Sequence, residues 1–137
     1  MRVVVDTNVL ISGAFYSGPP LQILQACLEG EFQLALSPQI LVEYRRVGQE
    51  FSQMHPNSDF ERLLGLLVTQ ALIVDVPDLA RPVCRDPHDD KFIACALAVG
   101  AEVIVSGDKD LLAVSEQRII PVMRPREFVD RYLGKGS

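Results

Sequence analysis

The sequence has no tryptophan, two histidines and three cysteines in 137 residues. Cys27, Cys84 and Cys95 are odd in number and widely spaced, which excludes a closed disulfide framework, and no C-x-x-C pair announces a zinc site. Reduced, buried thiols are expected, Cys27 and Cys95 falling inside apolar helical patterns. Also missing is any run near the roughly 18 apolar residues that a bilayer span needs. Asp6 breaks the first apolar stretch at once, so no signal peptide is read there, no membrane partner is expected, and the expected location is the cytoplasm. Positive charge is in deficit: 13 Lys and Arg face 18 Asp and Glu, a formal net charge of -5. Such a balance argues against coating nucleic acid by bulk electrostatics. It leaves room for an enzyme acting on phosphates, because carboxylates that hold cations are neutralised locally when the cations bind. There is no internal repeat and no low-complexity tract.

What is present suffices for one domain. The length supports a substantial core without disulfides, and 48% apolar against 23% charged residues describes a folded chain. Residues 1–133 are read as that domain and 134–137 as a frayed tail.

The chain alternates strand and helix patterns. The valine run ending at Asp6 reads as a strand buried on both faces. A short helix from Val9 to Phe15 is interrupted at Ser17-Gly18-Pro19-Pro20, and Leu21, Leu24, Cys27 and Leu28 then mark a second helix capped by Gly30. Phe32 to Leu36 is a strand, and Ser37-Pro38 opens a helix to about Val47. Gln49 to Asn57 reads as a polar loop. Ser58 and Glu61 form a capping-box pattern before the Phe60 to Val68 helix. Leu72 to Val76, Glu102 to Ser106 and Ile119 to Val122 read as further strands. Helices follow Asp86-Pro87 and Asp108, and a terminal helix runs from Arg124 to Leu133. Alternation of this kind requires right-handed crossovers, which predicts an α/β fold with a central parallel sheet of four to five strands whose carboxyl ends share one edge.

Asp6, Glu43, Asp90 and Asp108 all fall near that edge. Four carboxylates there need counter-charge, and oxygen-only donors point to Mg²⁺ or Mn²⁺; the absence of histidine disfavours zinc. Carboxylate-held cations suit phosphodiester hydrolysis without a Ser or Cys nucleophile. Alternatives stay open at several positions. Glu43, expected on a face with Ile40 and Val47, is equally readable as a rim residue paired with Arg46. One or two of Asp86, Asp89 and Asp90 serve only to start a helix, and Asp89 competes with Asp90 for the site. Arg45, Arg46, Lys91 and Lys109 lie beside the acids and are candidate phosphate contacts, with surface charge the plainer reading of each. His55 and His88 are read as surface or capping residues.

The stretches Val3-Val-Val-Asp6-Thr7-Asn8-Val9-Leu10, Ser37-Pro38 with Glu43, Asp86-Pro-His-Asp89-Asp90-Lys91-Phe92 and Ser106-Gly107-Asp108-Lys109-Asp110-Leu111 together resemble a PIN domain over nearly the whole chain. The resemblance is nearest to the VapC-type toxins of toxin-antitoxin systems. It implies a Rossmann-like sheet, a metal-dependent ribonuclease, a homodimer, an RNA substrate and a small antitoxin partner. It matches Asp6, Glu43, Asp90 and Asp108 to the family's acidic quartet, Thr7 and Asn8 to its polar pair, and Ser106 and Asp110 to supporting polar positions; Ser106 is expected to bond Asp6 or water. Gly107 departs from the larger polar or basic residue common in those toxins. Two phosphate-handling folds with an Asp-terminated first strand fit worse: haloacid-dehalogenase-type phosphatases need an Asp where Asn8 stands, and response-regulator receivers need an acidic pair and a late lysine. A PIN-like module that binds RNA or protein without cutting is the rival reading, and retention of all the acids argues against it.

Overall fold

Strand β1, Arg2–Val5, carries three valines with no exposed surface, a burial that only the interior of a sheet provides. The computed structural model describes residues 1–117 and 119–134. It pairs β1 with β2 (Gln33–Leu36) on one side and β4 (Val103–Val105) on the other, with β3 (Leu72–Ile73) and β5 (Val122–Met123) at the edges. All four pairings are parallel and the order is β3-β2-β1-β4-β5. Seven helices flank the sheet among the described residues: α1 Thr7–Phe15, α2 Pro19–Leu28, α3 Pro38–Met54, α4 Phe60–Gln70, α5 Asp90–Val99, α6 Lys109–Glu116 and α7 Pro125–Tyr132. A 3-10 turn, Pro87–Asp89, leads into α5. The fold is α/β as expected. Chain order reverses between β1 and β4, and a crevice at such a reversal, outside the carboxyl ends of the strands, is where open α/β sheets bind ligands. The proposed tail beyond Gly134 lies outside the described residues.

Several boundaries differ from the sequence reading, β5 among them at Val122–Met123 rather than Ile119 to Val122, and three differences have a plain physical reason. Helix α3 does not stop near Val47 but runs through the polar stretch to Met54. Its buried stripe is Ile40, Tyr44 and Gly48, continued by Phe51, and the polar residues around it form a solvated face rather than a loop. The capping box does not form: Asp59 precedes α4 without a side-chain cap, and the buried Ser58 hydroxyl has no partner among the described residues. Strand β3 is two residues long, because β2 ends at Leu36, whose carbonyl takes the Val74 amide at 3.0 Å before the chain turns into α3 at Ser37.

Two glycines let helices close on each other. A Cβ at Gly13 in α1 would lie 2.8 Å from the Pro20 carbonyl oxygen of α2. One at Gly48 in α3 would lie 2.1 Å from the ring of Phe60, which is itself stacked on Phe15 with centroids 5.5 Å apart. All three cysteines are free and buried. No helix is long and apolar enough to cross a membrane among the described residues.

Candidate metal centre

The site begins where the central strand ends. The Asp6 amide donates to the Val105 carbonyl at 3.0 Å, continuing the β1–β4 ladder by one residue, while the Asp6 carbonyl accepts from Val9 and Leu10 and starts α1. The strand therefore turns directly into a helix at Asp6, with α1 starting at Thr7 rather than Val9. That fixes the Asp6 side chain at the sheet edge, 5% exposed. Across the ladder, the fully buried Ser106 donates its hydroxyl to Asp6 Oδ2 at 2.8 Å and accepts the Asp108 amide at 2.9 Å. One hydroxyl thus ties the acid after β1 to the acid after β4. Asp108 caps α6, its Oδ1 accepting from the amides of Asp110 at 2.8 Å and Leu111 at 3.3 Å.

The third contribution comes from Asp89, at the end of the 3-10 turn, and not from Asp90. Carboxylate oxygens of Asp89, Asp108 and Asp110 lie within 4.8 Å of one another. The Asp90 carboxylate is occupied elsewhere: it accepts the Cys84 amide at 2.7 Å and the Val83 amide at 3.0 Å. The sequence grouped Asp90 with Asp6 and Asp108; in the structure its carboxylate holds the preceding loop, and Asp89 is the acid that meets Asp108 and Asp110. Adjacent residues entering a helix project about 100° apart, which sends the two carboxylates different ways.

Glu43 stands beside this cluster on α3, on the edge of the buried stripe rather than within it. One of its oxygens accepts from the Thr7 hydroxyl and the other pairs with Lys91 Nζ at 2.7 Å, with the side chains 23% and 17% exposed respectively. The alternative pairing with Arg46 is absent, since Arg46 reaches Glu50 and Arg45 reaches Glu61 on exposed surface. These two arginines do not converge on the acids. Lys109 is exposed and makes no ion pair among the described residues, and Asn8 is also exposed. Lys91 alone of the four cations is built into the site, its ammonium also donating to the His88 carbonyl at 2.5 Å.

The electrostatics register the crowding. Burial raises the Asp6 pKa above the ordinary value; the Ser106 hydrogen bond opposes the shift, and the charges of Asp108 and Glu43 add to it. Asp89 is pushed up to about 7, first by burial and then by Asp108 and Asp6. Mutual repulsion of this kind, among donors that are all carboxylate oxygens, fits a hard divalent cation of the Mg²⁺ or Mn²⁺ class. Asp89, Asp108 and Asp110 would hold it, with Asp6 against them.

Tyr44 is the residue that sequence reading missed. Fully buried, it donates its hydroxyl to the Val5 carbonyl, immediately before Asp6, and so braces the end of β1 from α3. Its signal was its place one residue past Glu43 on an apolar stripe. His55 caps α3 among the rings of Phe15, Tyr16 and Phe51, and His88 is exposed in the 3-10 turn, as read for both.

Comparison with known proteins accords with this geometry. A family model described as PIN domain matches residues 2–110. An uncharacterized protein, MJ1680, of Methanocaldococcus jannaschii is 30% identical over 145 residues, covering 96% of this chain and 92% of its own.

Proposed function

The chain belongs to the PIN domain family, which is generally a nuclease fold, and from that premise we propose that it is a ribonuclease dependent on Mg²⁺ or Mn²⁺. The observation that carries the reading is the convergence of Asp89 with Asp108 and Asp110 at the start of α6, beside the buried Asp6 that follows β1. Burial and neighbouring charge raise the proton affinity of Asp6 and Asp89, a cost that a bound cation would relieve.

The chain's own residues prepare the site. Ser106 orients Asp6 through its hydroxyl and, by accepting the Asp108 amide, fixes the spacing between the two strand ends. The Asp110 and Leu111 amides hold one Asp108 oxygen and leave the other free to face the crevice. Thr7 orients Glu43, and Lys91 neutralises it while standing where a substrate phosphate would approach. The chemistry supplied by a cation bound here is acidification of water to give the nucleophile and stabilisation of charge on the leaving oxygen.

The test is cleavage of labelled RNA and DNA oligonucleotides by purified protein, with Mn²⁺, with Mg²⁺ and with EDTA. Metal-dependent cleavage of RNA, abolished by Asp6→Asn, is expected; undiminished cleavage by the folded Asp6→Asn protein would falsify the proposal. The resemblance to VapC-type toxins extends it to a homodimeric toxin held inactive by a small antitoxin. Growth arrest on induction, relieved by Asp6→Asn and by co-expression of an adjacent small gene, is the expected result. Growth unaffected by the active nuclease would remove the toxin role and leave the nuclease.

A further inference from the structure

Beside the acidic centre lies a cleft of about 390 Å³, a size typical of small-ligand sites, between the start of α3, the connector after β3 and the start of α5. Lys91 lines it, and the Lys91 ammonium also pairs with Glu43. Its walls are two-sided in character. Leu79, Pro82 and Ala94 give apolar surface; exposed His88 and the Asp90 carboxylate, which already holds two amides, line it too, and Gln39 and Asp78 supply further polar groups. Among the described residues neither of those two side chains has a hydrogen bond or ion pair, so both are free for a ligand.

We propose that this cleft is a base-recognition subsite that takes an unpaired adenine of the RNA next to the scissile phosphate. The proposal rests on the nuclease reading for its substrate class. The apolar walls accept the faces of a base that has left its stack, the usual way in which proteins read single-stranded RNA. Gln39 offers an adjacent donor and acceptor, the pattern that meets adenine at its ring nitrogen and exocyclic amine. Asp78, acceptor only, takes a hydrogen bond from an exocyclic amine and repels the carbonyl that uracil presents in its place. Asp78 therefore separates the two bases, while Gln39, whose amide can turn to meet either edge, anchors the base without choosing it. Lys91, in the lining, meets the phosphate that joins this nucleotide to the one being cut. Asp78 is a specificity residue and takes no part in the bond-breaking chemistry.

The test uses metal-free full-length protein in EDTA, titrated with AMP and with UMP and followed by backbone and side-chain amide NMR. AMP should shift Gln39 and residues 78–94 saturably and bind about tenfold more tightly than UMP. Asp78→Ala, an exposed change, should bring the two nucleotides to within about twofold with unchanged melting temperature. Gln39→Ala and Leu79→Trp, which fills the cleft, should weaken both. Equal affinity for AMP and UMP, or a preference that survives Asp78→Ala, overturns the proposal. Because no cleavage is measured, the two readings separate. Asp6-dependent RNA cleavage without AMP binding sinks the subsite and spares the nuclease; discriminating AMP binding without RNA cleavage does the reverse.

Discussion

The carboxylate of Asp90 takes the amides of Val83 and Cys84, whereas that of Asp89 faces Asp108 and Asp110, so substitution at the two neighbours should have opposite signatures. Asp90→Asn should lower the melting temperature, at a cost of about 1 to 3 kcal/mol for weakened bonds to two amides, and leave the response to Mg²⁺ in place. Asp89→Asn should keep or raise the melting temperature of the metal-free protein and erase that response. Thermal denaturation of both variants with EDTA and with Mg²⁺ decides between them, and the reverse pattern would restore Asp90 to the centre. The sequence favours Asp90, whose helical face is otherwise small or apolar, with Asp89 the alternative; only the course of the preceding loop selects which one turns back to hold it. Gly107 carries a second residue-level prediction. A Cβ there meets nothing within 4 Å, so Gly107→Lys should fold normally and tighten RNA binding in a salt-dependent way. Unchanged binding in a filter or fluorescence titration would place Gly107 off the RNA path.

Helix α3 acts as a lever laid across the site. Its first half presents Glu43 and braces β1 through Tyr44, and its second half is clamped by Gly48 against the Phe60 ring of α4. Gly48→Ala should therefore destabilise the protein by about 1 to 3 kcal/mol, because Phe60 is stacked on Phe15 and has no easy way to retreat. Urea unfolding measures this, and a variant as stable as the parent would contradict the packing. Elements whose evidence is local were readable in the sequence: the valine run of β1, the Ser37-Pro38 start of α3, the glycine ending α2. The second half of α3 was not, because its polar face looks like a loop until the ring of Phe51 and the gap at Gly48 are seen to have partners on α1 and α4. The apparent capping box at Ser58 failed for the complementary reason, a local pattern displaced by one residue from where packing starts the helix.

At the scale of the molecule, the acids link stability to proton and metal concentration. Asp6 and Asp89 both bind protons more tightly in the folded than in the unfolded chain. Between the ordinary Asp value of 3.8 and about 7 the folded state thus carries more protons, and metal-free stability should fall as pH rises through that window. Saturating Mg²⁺ should flatten the slope, since a cation favours the ionised carboxylates and expels the proton from Asp89. Melting temperatures from pH 4 to pH 8 with EDTA and with Mg²⁺ test both statements; a metal-free protein that gains stability with rising pH over this range would refute them. The convergence itself was readable in outline, because strand ends in an alternating chain must share an edge. The membership of the cluster was not, because it depends on which way each side chain leaves its turn. The sheet order adds a consequence for synthesis. The strand translated first occupies the middle, and one of its two neighbours is not made until residues 103–105 have left the ribosome. A nascent chain shorter than that carries Asp6 and Asp89 but has neither the strand that seats Ser106 nor the acid at 108, so the carboxylate cluster cannot form until that strand and the start of α6 have been made.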